Sequence, residues 1–190
     1  MASSAIILNF WFGEPESPEF GRSRSAWFVK KAAFDRQMQV FLPDYAAAAA
    51  GTLNAWQTAP RSCLALILLL DQFPRNLFRH QPQAFATDEK ALALAKFAVS
   101  QGYDHQLLPV ERWFIYLPFE HSESLSDQDQ SVELFATLKD DPQSASAIAY
   151  AERHREVIER FGRFPHRNRI LGRVSTPEEL EFLQQPGSSF

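Results

Sequence analysis

The chain has 190 residues, of which 45% are hydrophobic, and its formal net charge at pH 7 is −4. This length is enough for one domain with a hydrophobic core, and the acidic balance argues against a general nucleic-acid binder, which would normally be basic. The only cysteine, Cys63, excludes an intrachain disulfide, as is common in proteins of a reducing compartment.

Apolar residues recur at helical spacing through the first half of the chain, and glycine or proline stands where each run stops. This pattern predicts helices over residues 3–12, 25–41, 46–50 and 60–70. The run from Cys63 to Leu70 is apolar on all sides. We therefore expect this helix to lie buried at the centre of the fold, with Cys63 as a core residue.

The second half continues the helical pattern. It predicts helices over residues 88–101, 110–117, 126–139 and 145–161, and a further helix that starts after the cap Thr176. Because no segment alternates apolar and polar residues between hairpin turns, we predict an all-α fold, formed by residues 1–190 as a single domain. Short connections between the helices predict antiparallel helix pairs.

Membrane association is not expected from this sequence. The N-terminal residues 1–7 contain no basic residue before their apolar stretch and so do not resemble a secretory signal. The longest strongly apolar run, residues 64–70, is far too short to cross a bilayer. We expect a cytoplasmic protein.

Three polar strings are candidates for chemistry, and the first is residues 71–76 at the end of the most apolar helix. A carboxylate such as Asp71 is poorly placed at the C-terminus of a helix, where the dipole is negative. Asp71 should therefore have a cationic partner, and Arg75 is the nearest. The alternative is a purely structural ion pair that ties a kink at Pro74.

The second string contains Glu120, His121 and Glu123. Pro118 disfavours helical backbone at the residue before it, which predicts a bend just ahead of the string. Two acids around a histidine could serve as an acid–base set or as metal ligands, but their spacing matches no metal motif, and we assign no metal. The alternative is a solvated turn before the next helix.

The third string runs from residue 153 to residue 173 and contains half of the 14 arginines. His154 occupies a position in its apolar seam, so it is either a hydrogen-bonded core histidine or a histidine that faces a polar pocket.

The first and third strings share a short pattern, Phe-Pro followed by Arg-Asn, at residues 73–76 and 164–168. If a helix ends before each Phe-Pro corner and a new one begins after it, free backbone N–H groups would lie beside arginine and asparagine donors. We therefore hypothesise that one or both corners bind an anionic group such as a phosphate or a carboxylate. Chance similarity with shared capping chemistry is the alternative.

Several longer strings occur in a distinctive order, and together they resemble one known family. They are residues 9–13 (Asn-Phe-Trp-Phe-Gly), 70–76 (Leu-Asp-Gln-Phe-Pro-Arg-Asn), 84–88 (Ala-Phe-Ala-Thr-Asp), 117–123 (Leu-Pro-Phe-Glu-His-Ser-Glu), 160–168 (Arg-Phe-Gly-Arg-Phe-Pro-His-Arg-Asn), 171–173 (Leu-Gly-Arg) and 175–179 (Ser-Thr-Pro-Glu-Glu). The chain resembles the uncharacterised bacterial family called domain of unknown function 924 over residues 6–184. The resemblance implies an all-helical fold related to tetratricopeptide-like arrays, and no activity, cofactor or catalytic residue.

We favour a helical binding module with a polar pocket for a small anionic ligand or a peptide terminus. The candidate ligand-binding residues are Asp71, Arg75, Asn76, Glu120, His121, Glu123, His154, Arg163, His166, Arg167 and Asn168. The first alternative is an enzyme with hydrolase-like acid–base or metal-assisted chemistry at Asp71, Glu120, His121 and Glu123. The others are a buried polar network that only orders helix packing, and RNA binding by residues 153–173. The sequence does not identify a cofactor.

Overall fold

The structure, a computed structural model, describes residues 1–29 and 31–189, and these ranges form α-helices joined by turns and short 3-10 segments. The helices are α1 (Ser4–Phe12), α2 (Ala32–Met38), α3 (Leu42–Ala49), α4 (Pro60–Leu77), α5 (Asp88–Ser100), α6 (Pro109–Glu120), α7 (Leu125–Ala136), α8 (Ala145–Phe161) and α9 (Pro177–Phe182). No β-strand occurs in the described ranges, so the all-α prediction is confirmed.

Helix α4 is the centre of the core. Every residue from Cys63 to Leu70 is buried, as the sequence predicts, and the helix packs against α1, α3, α5 and α6. Burial raises the pKa of the Cys63 thiol to about 12, which is consistent with a core residue rather than a nucleophile. An aromatic cluster around Trp11 and Phe73 joins α1 to the end of α4, because their rings lie 5.6 Å apart.

The end of α4 differs from the prediction because Pro74 lies inside the helix, which continues to Leu77. A proline in a helix leaves the carbonyl four residues earlier without its usual donor. Here that carbonyl belongs to Leu70, and the Thr87 hydroxyl donates to it at 2.5 Å. The Thr87 hydroxyl therefore supplies the hydrogen bond that Pro74 cannot donate within α4. Although Thr87 is the N-cap residue of α5, its side chain makes no capping hydrogen bond there.

Pro118 is likewise accommodated within α6, so the bend predicted before Glu120 is wrong. Glu120 is the last residue of α6 and His121 is its C-cap. The helix predicted from residue 25 also begins later, at Ala32. Trp27 precedes it in a turn, yet is buried against Trp11 with its ring stacked 6.1 Å away.

The second half packs helix on helix in chain order, with α6 against α7 and α7 against α8. Helix α8 ends at Phe161, as predicted, and its C-cap Gly162 has left-handed backbone. Helix α9 begins with the predicted capping box between Thr176 and Glu179. The antiparallel, tetratricopeptide-like arrangement stays a prediction. Within the described part of the chain, no helix combines the length and the apolar character that a membrane crossing needs.

Candidate functional site

A cleft of about 910 Å³ lies where the ends of α4 and α6 meet α8 and the segment after it. One wall is apolar and includes Trp27, Phe28, Trp113, Leu117 and Phe135. The other wall is polar and brings together seven of the candidate residues, which are Arg75, Asn76, Glu120, His121, His154, His166 and Arg167. Asp71, fully buried, lies directly behind this polar wall.

Asp71 and His121 form a hydrogen-bonded pair. The His121 Nδ1 atom lies 2.7 Å from Asp71 Oδ1, and Gln72 donates to Asp71 Oδ2 at 2.7 Å. Burial alone would raise the pKa of Asp71, but the Arg75 and His121 groups outweigh it and hold that pKa well below its usual range. An ionised Asp71 only accepts hydrogen bonds, so the His121 proton is assigned to Nδ1.

His121 itself is neutral at pH 7, because burial and the nearby Arg75 cation lower its pKa. Its Nε2 atom makes no hydrogen bond to any residue that the structure describes. This leaves Nε2 as the ring nitrogen with a lone pair available to a ligand in the cleft.

Arg75 is held by two aspartates and has little capacity left for a ligand. It forms a bidentate pair with Asp88 at 2.8 and 3.0 Å, and it lies 3.3 Å from Asp71 Oδ1. It also donates to the Asp71 carbonyl at 2.7 Å. Its guanidinium carbon lies 5.7 Å from the centre of the Phe85 ring.

Arg167 lies beside Arg75 but, unlike Arg75, has no carboxylate within hydrogen-bond distance among the described residues. Its guanidinium is sandwiched between the rings of Phe85 at 4.9 Å and Phe164 at 4.4 Å. Its side chain donates no hydrogen bond to any described residue, and its Nε is buried without an acceptor. The nearest carboxylate oxygen, 3.7 Å away, belongs to Asp88, which already accepts two bonds from Arg75.

Burial and the Arg75 cation lower the pKa of Arg167 to about 10. Arg167 therefore remains a cation at pH 7. The chain supplies no acceptor for its five N–H groups within the described ranges, so a buried guanidinium faces the cleft with its hydrogen-bonding capacity unused.

Glu120 and His154 form a second buried pair on the polar wall. The His154 Nδ1 atom lies 3.0 Å from Glu120 Oε1 and 2.8 Å from the carbonyl oxygen of Tyr150. Burial and the Asp71 charge raise the pKa of Glu120 to about 8, so its carboxyl is protonated at pH 7. Its Oε2 atom is buried and has no hydrogen-bond partner among the described residues.

His154 and His166, which also line the cleft, are neutral at pH 7. His154, placed by the sequence in an apolar seam, is buried, and its burial holds its pKa well below the ordinary value. Burial and Arg167 lower the pKa of His166 to about 3. Near Arg167 the groups charged at pH 7 include Arg75, Asp71 and Asp88. Two further arginines line the cleft, namely Arg79, which pairs with Asp35, and the exposed Arg169.

Three candidate residues lie outside the cleft, in contacts that order the C-terminal segment. Arg163 forms a bidentate pair with Glu179, and Glu123 forms one with Arg173. Asn168 donates to Ser175 and to Glu179. Asn76 lines the cleft, but its amide group is engaged by the Gln72 carbonyl and by Arg79.

The backbone version of the anion hypothesis is not supported at either Phe-Pro corner. Residues 73–76 lie within α4, so their N–H groups are not at a helix start. After Phe164 the chain forms only the short 3-10 segment Pro165–Arg167. The group that faces the cleft from this corner is the Arg167 side chain, not a set of backbone N–H groups.

The sequence analysis missed three contributors to the polar wall, which are Gln72, Phe85 and Asp88. Gln72 lies within the first polar string, and its amide orders Asp71. Phe85 and Asp88 lie in the distinctive string at residues 84–88, and Asp88 is also in the first turn of α5, where the helix dipole favours an acidic residue. Within the described ranges, no group of three or more His, Cys, Asp or Glu side chains is arranged to hold a metal ion.

The fold and site define an all-helical protein with a buried, arginine- and histidine-lined cleft. The family model described as "Bacterial protein of unknown function (DUF924)" matches residues 7–187, so this chain belongs to that family. It is similar to the solved structure of ATU0120, a protein of unknown function from Agrobacterium tumefaciens. The identity is 40%, the TM-score is 0.83, and the match covers 95% of this chain and 96% of that one. No curated protein matches the chain.

Proposed function

We propose that this protein is a binding module whose cleft takes a small molecule through an anionic group held by Arg167. The single observation that supports this function is the buried guanidinium of Arg167, cationic at pH 7 and without a hydrogen-bond acceptor. A buried charge is destabilising unless it is paired and hydrogen-bonded. The two phenyl rings compensate for part of this cost, and an anionic ligand would supply the missing acceptors.

The charges favour a monoanion with a planar anionic group. The charges of Arg75 and Arg167 balance those of Asp71 and Asp88, and Arg79 pairs with Asp35, so the buried arginine fork that a ligand would meet is that of Arg167. A carboxylate matches that fork with two parallel hydrogen bonds. The further lining arginine Arg169 is exposed to solvent, where its attraction for a second negative charge is weaker.

The apolar wall indicates what the rest of the ligand is made of. Trp27, Phe28, Trp113 and Leu117 line the same cleft as the arginines. Ligand sites combine a mainly apolar lining with a few polar groups that orient the ligand. A carboxylic acid with an aromatic or aliphatic substituent fits a cleft that combines apolar lining residues with an arginine.

The test is a thermal-shift and calorimetric panel of acetate, 3-phenylpropionate, 3-phenylpropanamide and inorganic phosphate. We expect 3-phenylpropionate to bind most tightly, and Arg167→Met to weaken it at least tenfold, because hydrogen bonds to a charged group contribute about 1.5–3 kcal/mol. Arg36→Met, at an exposed position on α2, is the matched control. Equal responses of wild type and Arg167→Met to every anion would refute the function.

A second candidate is an enzyme with acid–base chemistry, favoured by the Asp71–His121 pair. A carboxylate that holds Nδ1–H and leaves Nε2 available is the arrangement of a general base. Glu123 has no part in it, because it pairs with Arg173 outside the cleft. Hydrolysis of p-nitrophenyl esters that His121→Gln abolishes would support this candidate, and identical rates in the two proteins would remove it.

A further inference from the structure

We propose that the ligand of this cleft is a zwitterion, a free amino acid or short peptide with an apolar side chain, whose ammonium group binds Glu120 while its carboxylate binds Arg167. This inference rests on the proposed function for the carboxylate contact and adds a second contact of opposite charge. It deepens the description of the ligand from an anion to a molecule with two charged groups.

The second contact follows from the unused carboxyl oxygen of Glu120. This residue lines the cleft, and its Oε2 atom has no hydrogen-bond donor within the described part of the chain. A buried carboxyl oxygen without a hydrogen-bond partner is unfavourable whether or not it carries the proton. Gln72 donates to Asp71, and Gln128 donates to the backbone carbonyl of Glu120, so neither amide serves Oε2.

The surroundings of Glu120 favour a cationic donor. The ionised Asp71 lies close enough to raise the pKa of Glu120, and the Tyr150 carbonyl oxygen lies near His154 on the same wall. Among the described residues the one basic side chain in contact with Glu120 is His154, and it is neutral because burial lowers its pKa. An ammonium group, a compact charge with three donors, complements this acceptor-rich corner.

The two unused groups line the same cleft. His154 contacts Glu120 directly, and the charge of Arg167 helps lower the pKa of His154. The His154 ring lies 5.5 Å from the Phe164 ring, and the Arg167 guanidinium lies 4.4 Å from that same ring, so His154 and Phe164 connect Glu120 to Arg167 along the cleft. A plain carboxylic acid would leave Glu120 Oε2 without a donor and a plain amine would leave Arg167 without an acceptor, whereas a zwitterion satisfies both.

The test compares matched probes in calorimetry. These are L-phenylalanine, 3-phenylpropionate, which lacks the amine, 2-phenylethylamine, which lacks the carboxylate, and the dipeptide Phe-Phe. We expect L-phenylalanine or Phe-Phe to bind at least tenfold tighter than either single-charge probe. The tighter of the two zwitterions tells whether the source is a free amino acid or a peptide.

Two variants separate this inference from the proposed function. Glu120→Gln keeps the neutral shape of the protonated carboxyl, so it should fold, retain affinity for 3-phenylpropionate and lose the advantage of the zwitterion. Arg167→Met should weaken every probe with a carboxylate. Proton release gives an independent readout. An ammonium group that binds Glu120 in its ionised form expels up to one proton at pH 7, and calorimetry in buffers of different ionisation enthalpy measures that number. The Glu120→Gln protein should release no proton.

Each outcome decides the matter. Equal affinities for L-phenylalanine, Phe-Phe and 3-phenylpropionate, with no effect of Glu120→Gln, overturn the zwitterion and leave the anion-binding function intact. Carboxylate affinities that ignore Arg167→Met overturn the proposed function. Binding of 2-phenylethylamine as tightly as the zwitterions overturns the two-point contact, as does binding by none of the four probes.

Discussion

Two clusters of arginines and carboxylates lie in this molecule, and they differ in how far the chain satisfies their hydrogen bonds. The C-terminal cluster consists of Glu123, Arg163, Asn168, Arg173 and Glu179. The cleft cluster consists of Asp71, Arg75, Asp88, Glu120 and Arg167. Both clusters use the same residue types, and both include residues from the same arginine-rich stretch.

Each arginine of the C-terminal cluster has several acceptors. Arg163 donates to both oxygens of Glu179 at 2.6 and 2.8 Å and to the Val174 carbonyl at 2.9 Å. Arg173 donates to both oxygens of Glu123 at 2.7 and 2.9 Å and to the Phe164 carbonyl at 3.0 Å. The pKa of Glu179 falls to about 2, chiefly because Arg163 donates to it.

The cleft cluster has groups that the described chain leaves unused, namely the guanidinium of Arg167 and the Oε2 atom of Glu120. In the C-terminal cluster each arginine is paired with both oxygens of a carboxylate, although the single atoms Arg173 Nε and Asn168 Oδ1 have no partner among the described residues. The comparison teaches that a charged cluster whose charges pair internally orders the fold, whereas one with an unpaired charged group beside a cavity is a candidate for binding. Three mutational experiments test this distinction.

The largest expected effect is in the C-terminal cluster. Glu179→Ala removes the acceptor of Arg163 and Asn168 and the capping contact to Thr176. We expect the free energy of unfolding to fall by roughly 3 kcal/mol, the size expected when one partner of a buried pair is lost. Urea denaturation measures it.

Glu178→Ala is the matched control for Glu179→Ala, since its neighbouring carboxylate is exposed and pairs only with Arg160. It should change the free energy by no more than about 0.5 kcal/mol. If Glu179→Ala folds but no longer responds to carboxylate ligands, the distinction between a structural C-terminal cluster and a binding cleft cluster is contradicted. The C-terminal cluster would then be part of the binding site.

The next effect is a pH dependence that originates in the cleft. Between pH 6.5 and about 8 the native state keeps a proton on Glu120 that the unfolded chain has lost, since burial and Asp71 raise its pKa to about 8 from 4.5. The free energy of unfolding should therefore fall as pH rises through this window, by up to roughly 1.4 kcal/mol per pH unit.

Below pH 6.5 the sign reverses. His121, His154 and His166 have lowered pKa values, so the unfolded chain binds protons that the native state excludes. Stability should be greatest near pH 6.5. Glu120→Gln should flatten the alkaline side, whereas Glu133→Gln, at an exposed site, should not. An unchanged alkaline slope in Glu120→Gln would show that Glu120 is already ionised.

The sequence predicted what depends on local pattern. The apolar run at residues 63–70, the capping box at Thr176 and the glycine stop after Phe161 all appear in the structure. The helix end predicted before Pro74 is wrong, because the Thr87 hydroxyl, from another segment, donates to the Leu70 carbonyl and so allows α4 to continue. A local rule for proline contains no information about such a partner.

The sequence predicted the candidate site residues only in part. Charge and residue type indicated both Arg163 and Arg167 in one string, yet the two side chains face different surroundings. Arg163 meets Glu179, and Arg167 meets Phe85 and the cleft. Only packing of distant segments distinguishes them, so residue type located the candidates while tertiary contacts decided which of them face the cleft.

The smallest expected effect separates the two clusters by its sign. Arg167→Met replaces a buried charge that lacks acceptors with an apolar side chain that can pack between Phe85 and Phe164. Because relief of that desolvation should outweigh the lost ring contacts, we expect the ligand-free protein to gain about 1 kcal/mol in its free energy of unfolding. Arg163→Met, whose guanidinium is fully engaged by Glu179 and Val174, should instead lose stability. A stabilising substitution that abolishes binding is characteristic of a residue retained for function. If both variants were destabilised alike, Arg167 would belong with Arg163 among the structural arginines, and the cleft would lose its candidate anion contact.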